Sequence, residues 1–382
     1  MDFILWRYYR KKLVQIYRNR EDFYPEETIS TGPNSSSSVS RTFECWHYTS
    51  MKSLINIFKD YIESKDDAIN SFNLYASNIR FMNDSQEFED GKSLYQSQVS
   101  KSNYKRAYKK MNYNADAYII SFCENGDLLS QWRGYGKESG ISFCFNEKIA
   151  MYQTYSEKTS EGKTENKTSF NDAYTKPLPV IYNDDNKIEY FRKLEKLLNP
   201  CDKHEESHLD ILGALFIPYC KNKSFFEERE QRLVFYTTDG IVSKKGNTIS
   251  FNYVYNTFGE YVKPALNVNI KRRNANSPFN YSNEKEPEEP LITKMIVGPG
   301  ANQHIVFNTL IHVFDKKNRD NYVFLNEGEE IIQNRPEDKI DETSIVYDRR
   351  VHRIRCSDNF ERDVYKCSNG LIIMKSANPY RS

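Results

Sequence analysis

Two places in this chain carry residues of the right type and spacing for chemistry: a histidine in Cys45-Trp46-His47-Tyr48-Thr49-Ser50 and the acidic run Glu227-Glu228-Arg229-Glu230-Gln231-Arg232. His47 falls where an expected strand meets an expected helix. Such a junction presents backbone N–H groups at a helix start, which suits an anionic or polyhydroxyl ligand. A neutral imidazole donates and accepts at once, as a ribose diol requires. Hydroxyls follow at Tyr48, Thr49 and Ser50. The same pattern also describes a plain strand end, in which Thr49 or Ser50 caps the helix. The acidic run sets three carboxylates within four residues. Their repulsion raises some pKa values or calls for nearby cations, such as Arg229 and Arg232. A glutamate at a strand start is well placed to stabilise a developing positive charge. The ordinary alternative is a solvated acidic helix end.

Three weaker signals accompany these. Tyr75 and Ser77 share one face of an expected strand, because strand side chains alternate. A ring beside a small hydroxyl makes a stacking floor for a planar ligand, or simply a core tyrosine. Arg133, in Ser130-Gln131-Trp132-Arg133-Gly134-Tyr135-Gly136, stands beside a glycine turn. Its guanidinium fork suits a phosphate or carboxylate, or a structural ion pair. Cys201, His204 and His208 have helical spacing, but zinc sites usually draw paired motifs from two separated segments. No metal is expected.

The elements that must position these residues follow from the patterning. The chain has 382 residues, with 54 Lys+Arg against 53 Asp+Glu, which argues against a general polyanion binder. Its seven cysteines are odd in number and lack a Cys-x-x-Cys pair, so a reducing, cytoplasmic setting is expected. No apolar run is long enough to span a membrane, and the N-terminus lacks the features of a signal peptide. Residues 1–20 read as a basic amphipathic helix, docked on its own domain or on a partner, a nucleic acid or a membrane surface. Residues 21–42, ending in Gly32-Pro33-Asn34 and four serines, read as a flexible linker. Residues 43–382 read as one α+β domain with insertions near 156–177, 268–289 and 317–347. Expected strands are 43–48, 73–81, 117–123, 140–146, 233–236, 292–297 and 370–375. Expected helices begin near Thr49 or Ser50, at Asn83-Asp84, and at 127–132, 187–199, 205–221 and 302–315. Asp84 with Glu87 has the capping-box spacing.

The segments WHYTS, LYASNIRFMNDSQEFEDG, SFCENGDLLSQWRGYG followed by GISFCFN, FFEEREQRLVF, IVGPG and SANPYR occur in that order. Together they resemble the bacterial domain-of-unknown-function family 2971, over roughly Phe43 to Arg381 with the insertions excepted. A more distant similarity is to ADP-ribosyltransferases of the His-Tyr-Glu class. There a first strand carries His before a small residue and Ser or Thr, a second carries Tyr, and a later strand begins with Glu. His47-Tyr48-Thr49, Tyr75-Ala76-Ser77 and Glu230 are similar in type and order, and Glu228-x-Glu230 resembles the Glu-x-Glu of arginine-directed members. Position 48 departs from the class, with Tyr in place of the usual Gly.

The resemblance implies an ADP-ribosyltransferase-like fold: a mixed, mainly antiparallel split sheet flanked by helices. It implies NAD as substrate, no metal, and cleavage through an oxocarbenium-like ribose. Glu230 would face that charge and hold the ribose 2′-OH, and Glu228 would orient or deprotonate the acceptor. Tyr75 would stack on the nicotinamide, and His47 would hold the adenosine ribose. Arg133 would meet the pyrophosphate, with Tyr48, Thr49 and Ser77 completing the NAD-binding set. The acceptor would be a protein or a nucleic acid, and NAD hydrolysis is a close variant. Family-level association implies a toxic effector in anti-phage, that is antiviral, defence. The alternative is a non-catalytic module that senses a nucleotide or engages a protein or nucleic acid.

Overall fold

Runs of alternating or wholly buried side chains set the strands. Ala117–Cys123 is buried at every position but Ser121, and Gly140–Phe145 is buried throughout; such runs are read as strands covered on both faces. The structure is a computed structural model. It describes residues 44–82, 85–101, 117–135, 140–158, 164–165, 177–198, 205–236, 248–258, 261–272, 290–300, 302–317, 351–355 and 361–376. The expected helix at 1–20, the linker, Asn83-Asp84, Cys201, His204 and the terminal 377–382 lie outside those residues, and so does most of each expected insertion.

The strands are β1 (Cys45–Ser50), β2 (Ser71–Asn78), β3 (Ala117–Cys123), β4 (Gly140–Phe145), β5 (Ala150–Gln153), β6 (Tyr155–Lys158), β7 (Thr164–Glu165), β8 (Leu178–Pro179), β9 (Glu230–Tyr236), β10 (Thr248–Phe251), β11 (Tyr253–Phe258), β12 (Tyr261–Arg272), β13 (Ile292–Val297), β14 (Val351–Arg355), β15 (Glu361–Lys366) and β16 (Ile372–Lys375). The helices are α1 (Met51–Ile57), α2 (Lys59–Glu63), α3 (Ser85–Lys101), α4 (Leu129–Tyr135), α5 (Asp184–Leu198), α6 (Glu205–Phe216) and α7 (Gln303–Phe314). The protein is α+β and carries a large mixed sheet. No helix among the described residues is long and apolar enough to cross a membrane.

The chain divides into two compact units. In the first, formed from 74–122 and 151–269, the strands run in the order β11, β12, β2, β3, with β9 on β3 and β8 on β9. Helices α3, α5 and α6 pack with them around Tyr95, Tyr190, Phe191, Leu194 and Phe216. Asp184 and Asp185 in the first turn of α5 and Lys196 in its last turn complement the helix dipole.

The second unit is formed from 44–73, 123–150 and 270–382. Its strands run β1, β4, β13, β16, β15, β14, antiparallel except for the parallel pair of β13 with β16. The rings of Phe58, Phe72, Phe143 and Phe314 meet at centroid distances of 5.3–5.8 Å. Ser50 caps α1 by accepting from the Ser53 N–H at 3.2 Å, the role its sequence position predicts.

Several boundaries differ from expectation. The strand expected at 233–236 begins at Glu230, and β12 runs on to Arg272, into the stretch expected as a loop. Strand β7 and all but the first residue of β6 fall within the polar stretch expected as an insertion. Strands β5, β8, β10, β11, β12, β14 and β15 were not expected.

Candidate functional site

Strand alternation puts Glu230 and Arg232 on one face at the start of β9, where they form a two-pronged ion pair. Arg232 donates through Nε to Glu230 Oε1 at 2.7 Å and through Nη2 to Oε2 at 2.9 Å. Its Nη1 donates to the Pro218 carbonyl at 2.6 Å. Lys221 follows the helical turn Ile217–Tyr219 and donates to Glu230 Oε2 at 2.7 Å and to Glu228 Oε2 at 2.6 Å. One ammonium therefore links two carboxylates that the sequence separates from it by seven and nine residues. Glu230 and Arg232 are 3% and 1% exposed, and Lys221 is buried with them.

The approach to β9 is the helical turn Lys223–Glu228, capped by Arg229 at φ 41° and ψ 54°. Arg229 is the one described non-glycine residue with a positive φ. A left-handed residue costs roughly 1–2 kcal/mol, and here it turns the chain between the two glutamates. The Glu230 N–H donates to the Tyr182 hydroxyl at 2.8 Å. Burial pushes the Tyr182 phenol well above its usual range, with the Glu230 charge adding to the effect. Burial would also raise the Glu230 pKa; the Arg232 guanidinium and then the Lys221 ammonium outweigh it and hold the carboxyl at about 2. Glu230 is thus a permanent anion at neutral pH. In the same unit, Tyr75 is 37% exposed and Ser77 half-buried, on one face of β2 between the buried Leu74, Ala76 and Asn78.

The other sequence-derived residues belong to the second unit, and each is placed differently. Tyr48 is buried; its hydroxyl donates to the Asn125 carbonyl at 2.9 Å and accepts from the Leu128 N–H at 2.8 Å. Its ring meets Trp132 edge-on at 4.8 Å. The tyrosine that departs from the class pattern is therefore a strut that holds the loop before α4. His47 is half-buried and lies beside the Phe143 ring at 5.5 Å. Alternation along β1 places it on the face opposite Tyr48. Helix α4, which carries the exposed Arg133, packs through Trp132 on the Tyr48 face. Thr49 is buried. Among the described residues, no group of three His, Cys, Asp or Glu side chains is arranged to hold a metal ion.

Sequence reasoning missed Lys221, because nothing local to it points to the acidic run. It also missed what surrounds Trp46 and Trp132. A Cβ added at Gly126 would stand 2.3 Å from the Trp46 indole, and one at Gly298 would stand 2.7 Å from Trp132.

The fold and the paired carboxylates define an α+β protein with a buried ionic centre at the start of one strand. Comparison with known families then gives one match: a family model described as Protein of unknown function (DUF2971) matches residues 131–233. That segment holds Lys221, Glu228, Glu230 and Arg232 but not His47, Tyr75 or Ser77. No curated protein and no solved structure matches the chain.

Proposed function

We propose that the protein is an NAD-using ADP-ribosyltransferase-like enzyme, an effector in bacterial anti-phage defence, whose chemistry centres on Glu228 and Glu230. The observation that carries this reading is the pair itself: two carboxylates joined by one ammonium at a strand start, one a buried anion and the other partly exposed. In the reaction, the bond between nicotinamide N1 and ribose C1′ breaks. Nicotinamide leaves with the electron pair as a neutral molecule. The oxocarbenium-like ribose is stabilised by carboxylate charge. An acceptor nucleophile on a protein, nucleic acid or water bonds to C1′ and passes its proton to a carboxylate or to solvent. Tyr75, exposed and beside Ser77, supplies a ring for stacking on the cationic nicotinamide. His47, Tyr48, Thr49 and Arg133 enter this reading from the family resemblance alone. An ADP-ribosyltransferase-like arrangement of the sheet belongs to the same proposal.

A second reading is favoured by one observation: both Glu230 oxygens are already taken by Arg232 and Lys221. A nucleotide-sensing module without turnover has no need of a free carboxylate there. Incubation of the full chain with labelled NAD and a bacterial lysate, beside Glu230→Gln, Glu228→Gln and His47→Ala variants, separates the two. Nicotinamide release that the glutamate variants lose supports the enzyme. NAD binding without release supports the sensor. Neither binding nor release sinks both.

A further inference from the structure

The resemblance gives Glu230 the reacting role and Glu228 the acceptor, but their surroundings distribute these parts differently. Glu230 accepts three bonds, two from Arg232 and one from Lys221, and its side chain is 3% exposed. It has no oxygen left over and almost no path to a ligand. Glu228 keeps 20% of its side chain exposed. Only its Oε2 is bonded, to Lys221; its Oε1 has no partner among the described residues. Lys221 is itself held from two other sides. Its backbone N–H donates to the Ile181 carbonyl at 3.2 Å and anchors the main chain, while its ammonium, already bonded to both carboxylates, lies 5.0 Å from the centre of the Phe225 ring. An ammonium fixed in this way has little rotational freedom left to lose when it orients a second carboxylate.

The structure assigns Glu228 as the carboxylate that meets a bound ligand, Lys221 as its positioning residue, and the Glu230–Arg232 pair as the buried counter-charge that fixes Lys221. This rests on the reading of the carboxylate pair as an NAD site, and it reverses the parts the two glutamates would play there. Two anions and two cations balance inside the cluster, and the Lys221 ammonium is shared between Glu228 and Glu230. The ligand it suits is a cationic or hydroxyl-bearing group, such as a nicotinamide riboside ribose or an arginine-like acceptor.

The test uses the folded full chain. A water-soluble carbodiimide with an amine nucleophile is applied and coupling is mapped by peptide mass. Glu228 is expected to couple and Glu230 to stay unmodified, with saturating NAD slowing the Glu228 reaction. Equal coupling of Glu230 overturns the assignment. In parallel, steady-state nicotinamide release is measured. Lys221→Met and Glu228→Gln are each expected to lower kcat about tenfold or more, with the KM for NAD changing less than about threefold. Lys221→Arg is expected to restore most of the loss. A change in KM alone, or a folded Lys221→Arg no better than Lys221→Met, overturns the positioning role. If Lys221→Met fails to fold, the Lys221→Arg and Glu228→Gln arms decide. If the parent releases no nicotinamide and NAD leaves the coupling rate unchanged, the NAD reading falls, while the contrast between Glu228 and Glu230 still decides which carboxylate is reachable.

Discussion

Replacing Glu230 by glutamine tests the ionic centre directly, because the substitution keeps shape and removes charge. In the parent, folding lowers the carboxyl pKa from 4.5 to about 2. By linkage, such a depression contributes about 3 kcal/mol at neutral pH. The variant also leaves Arg232 and Lys221 as buried cations, and breaking a buried pair in this way costs about 3–5 kcal/mol. The two routes agree on a loss near 3 kcal/mol. Since the folded pKa lies below the unfolded one, the contribution is complete above about pH 5. It fades as the pH falls toward 2, where the parent carboxyl is protonated as well. The parent–variant difference should therefore be largest at pH 7 and shrink through the acid limb. Urea unfolding followed by circular dichroism at pH 7, 4 and 3 measures it, read from midpoint shifts at constant slope. Taking the difference cancels the other carboxylates, which titrate in both proteins. A difference under about 1 kcal/mol at pH 7, or one that stays constant down to pH 3, would refute the claim that this buried anion holds the start of β9.

Three further outcomes follow from other contacts. Gly126→Ala places a methyl 2.3 Å from the Trp46 indole, and overpacking of this kind costs about 1–3 kcal/mol; its melting temperature should fall, whereas Gly134→Ala, with nothing within 4 Å of the added carbon, should melt at or above the parent. Tyr48→Phe removes the acceptor of the Leu128 N–H and the donor to the Asn125 carbonyl, so it should destabilise by about 1–3 kcal/mol in urea; an unchanged midpoint would show that solvent replaces both bonds. Arg229→Gly accepts the left-handed backbone without steric cost, whereas Arg229→Val is strained at φ 41°; since both variants lose the same side chain, Arg229→Val should melt below Arg229→Gly in calorimetry.

The parts of the fold that could be read from sequence are those decided by neighbours in the chain. Ser50 reads as a helix cap, and Ala117–Cys123 reads as a buried strand because its own residues carry the pattern. Glu230 stands out as a carboxylate close to a strand for the same reason, although the pattern starts that strand at Leu233 and the structure starts it at Glu230. Strand β12 was missed because Pro264, Asn267 and Asn269 interrupt the usual strand composition, although Leu266, Val268 and Ile270 keep the alternation that buries one face. Strands β14 and β15, VHRIR and ERDVYK, carry so much charge that only their pairing with each other and with β16 reveals them. Lys221 was invisible for a different reason. Its partners are set by a helical turn and a left-handed arginine, which no periodicity announces. The role of Tyr48 was likewise out of reach, since Asn125 and Leu128 lie far from it in the chain.

The packing of Trp46 and Trp132 against glycines has a spectroscopic consequence. Both indoles are buried in one cluster of the second unit with Tyr48, Cys123, Cys144 and Ile296. The chain has three tryptophans, and the third is Trp6. In a Trp6→Phe background, all indole emission arises from that cluster. Its red shift on denaturation then tracks the loosening of β1, α4 and β13, while the amide signal tracks both units. Comparing the two traces turns a pair of close glycine contacts into a built-in reporter of whether the halves of this protein melt as one cooperative body or in sequence.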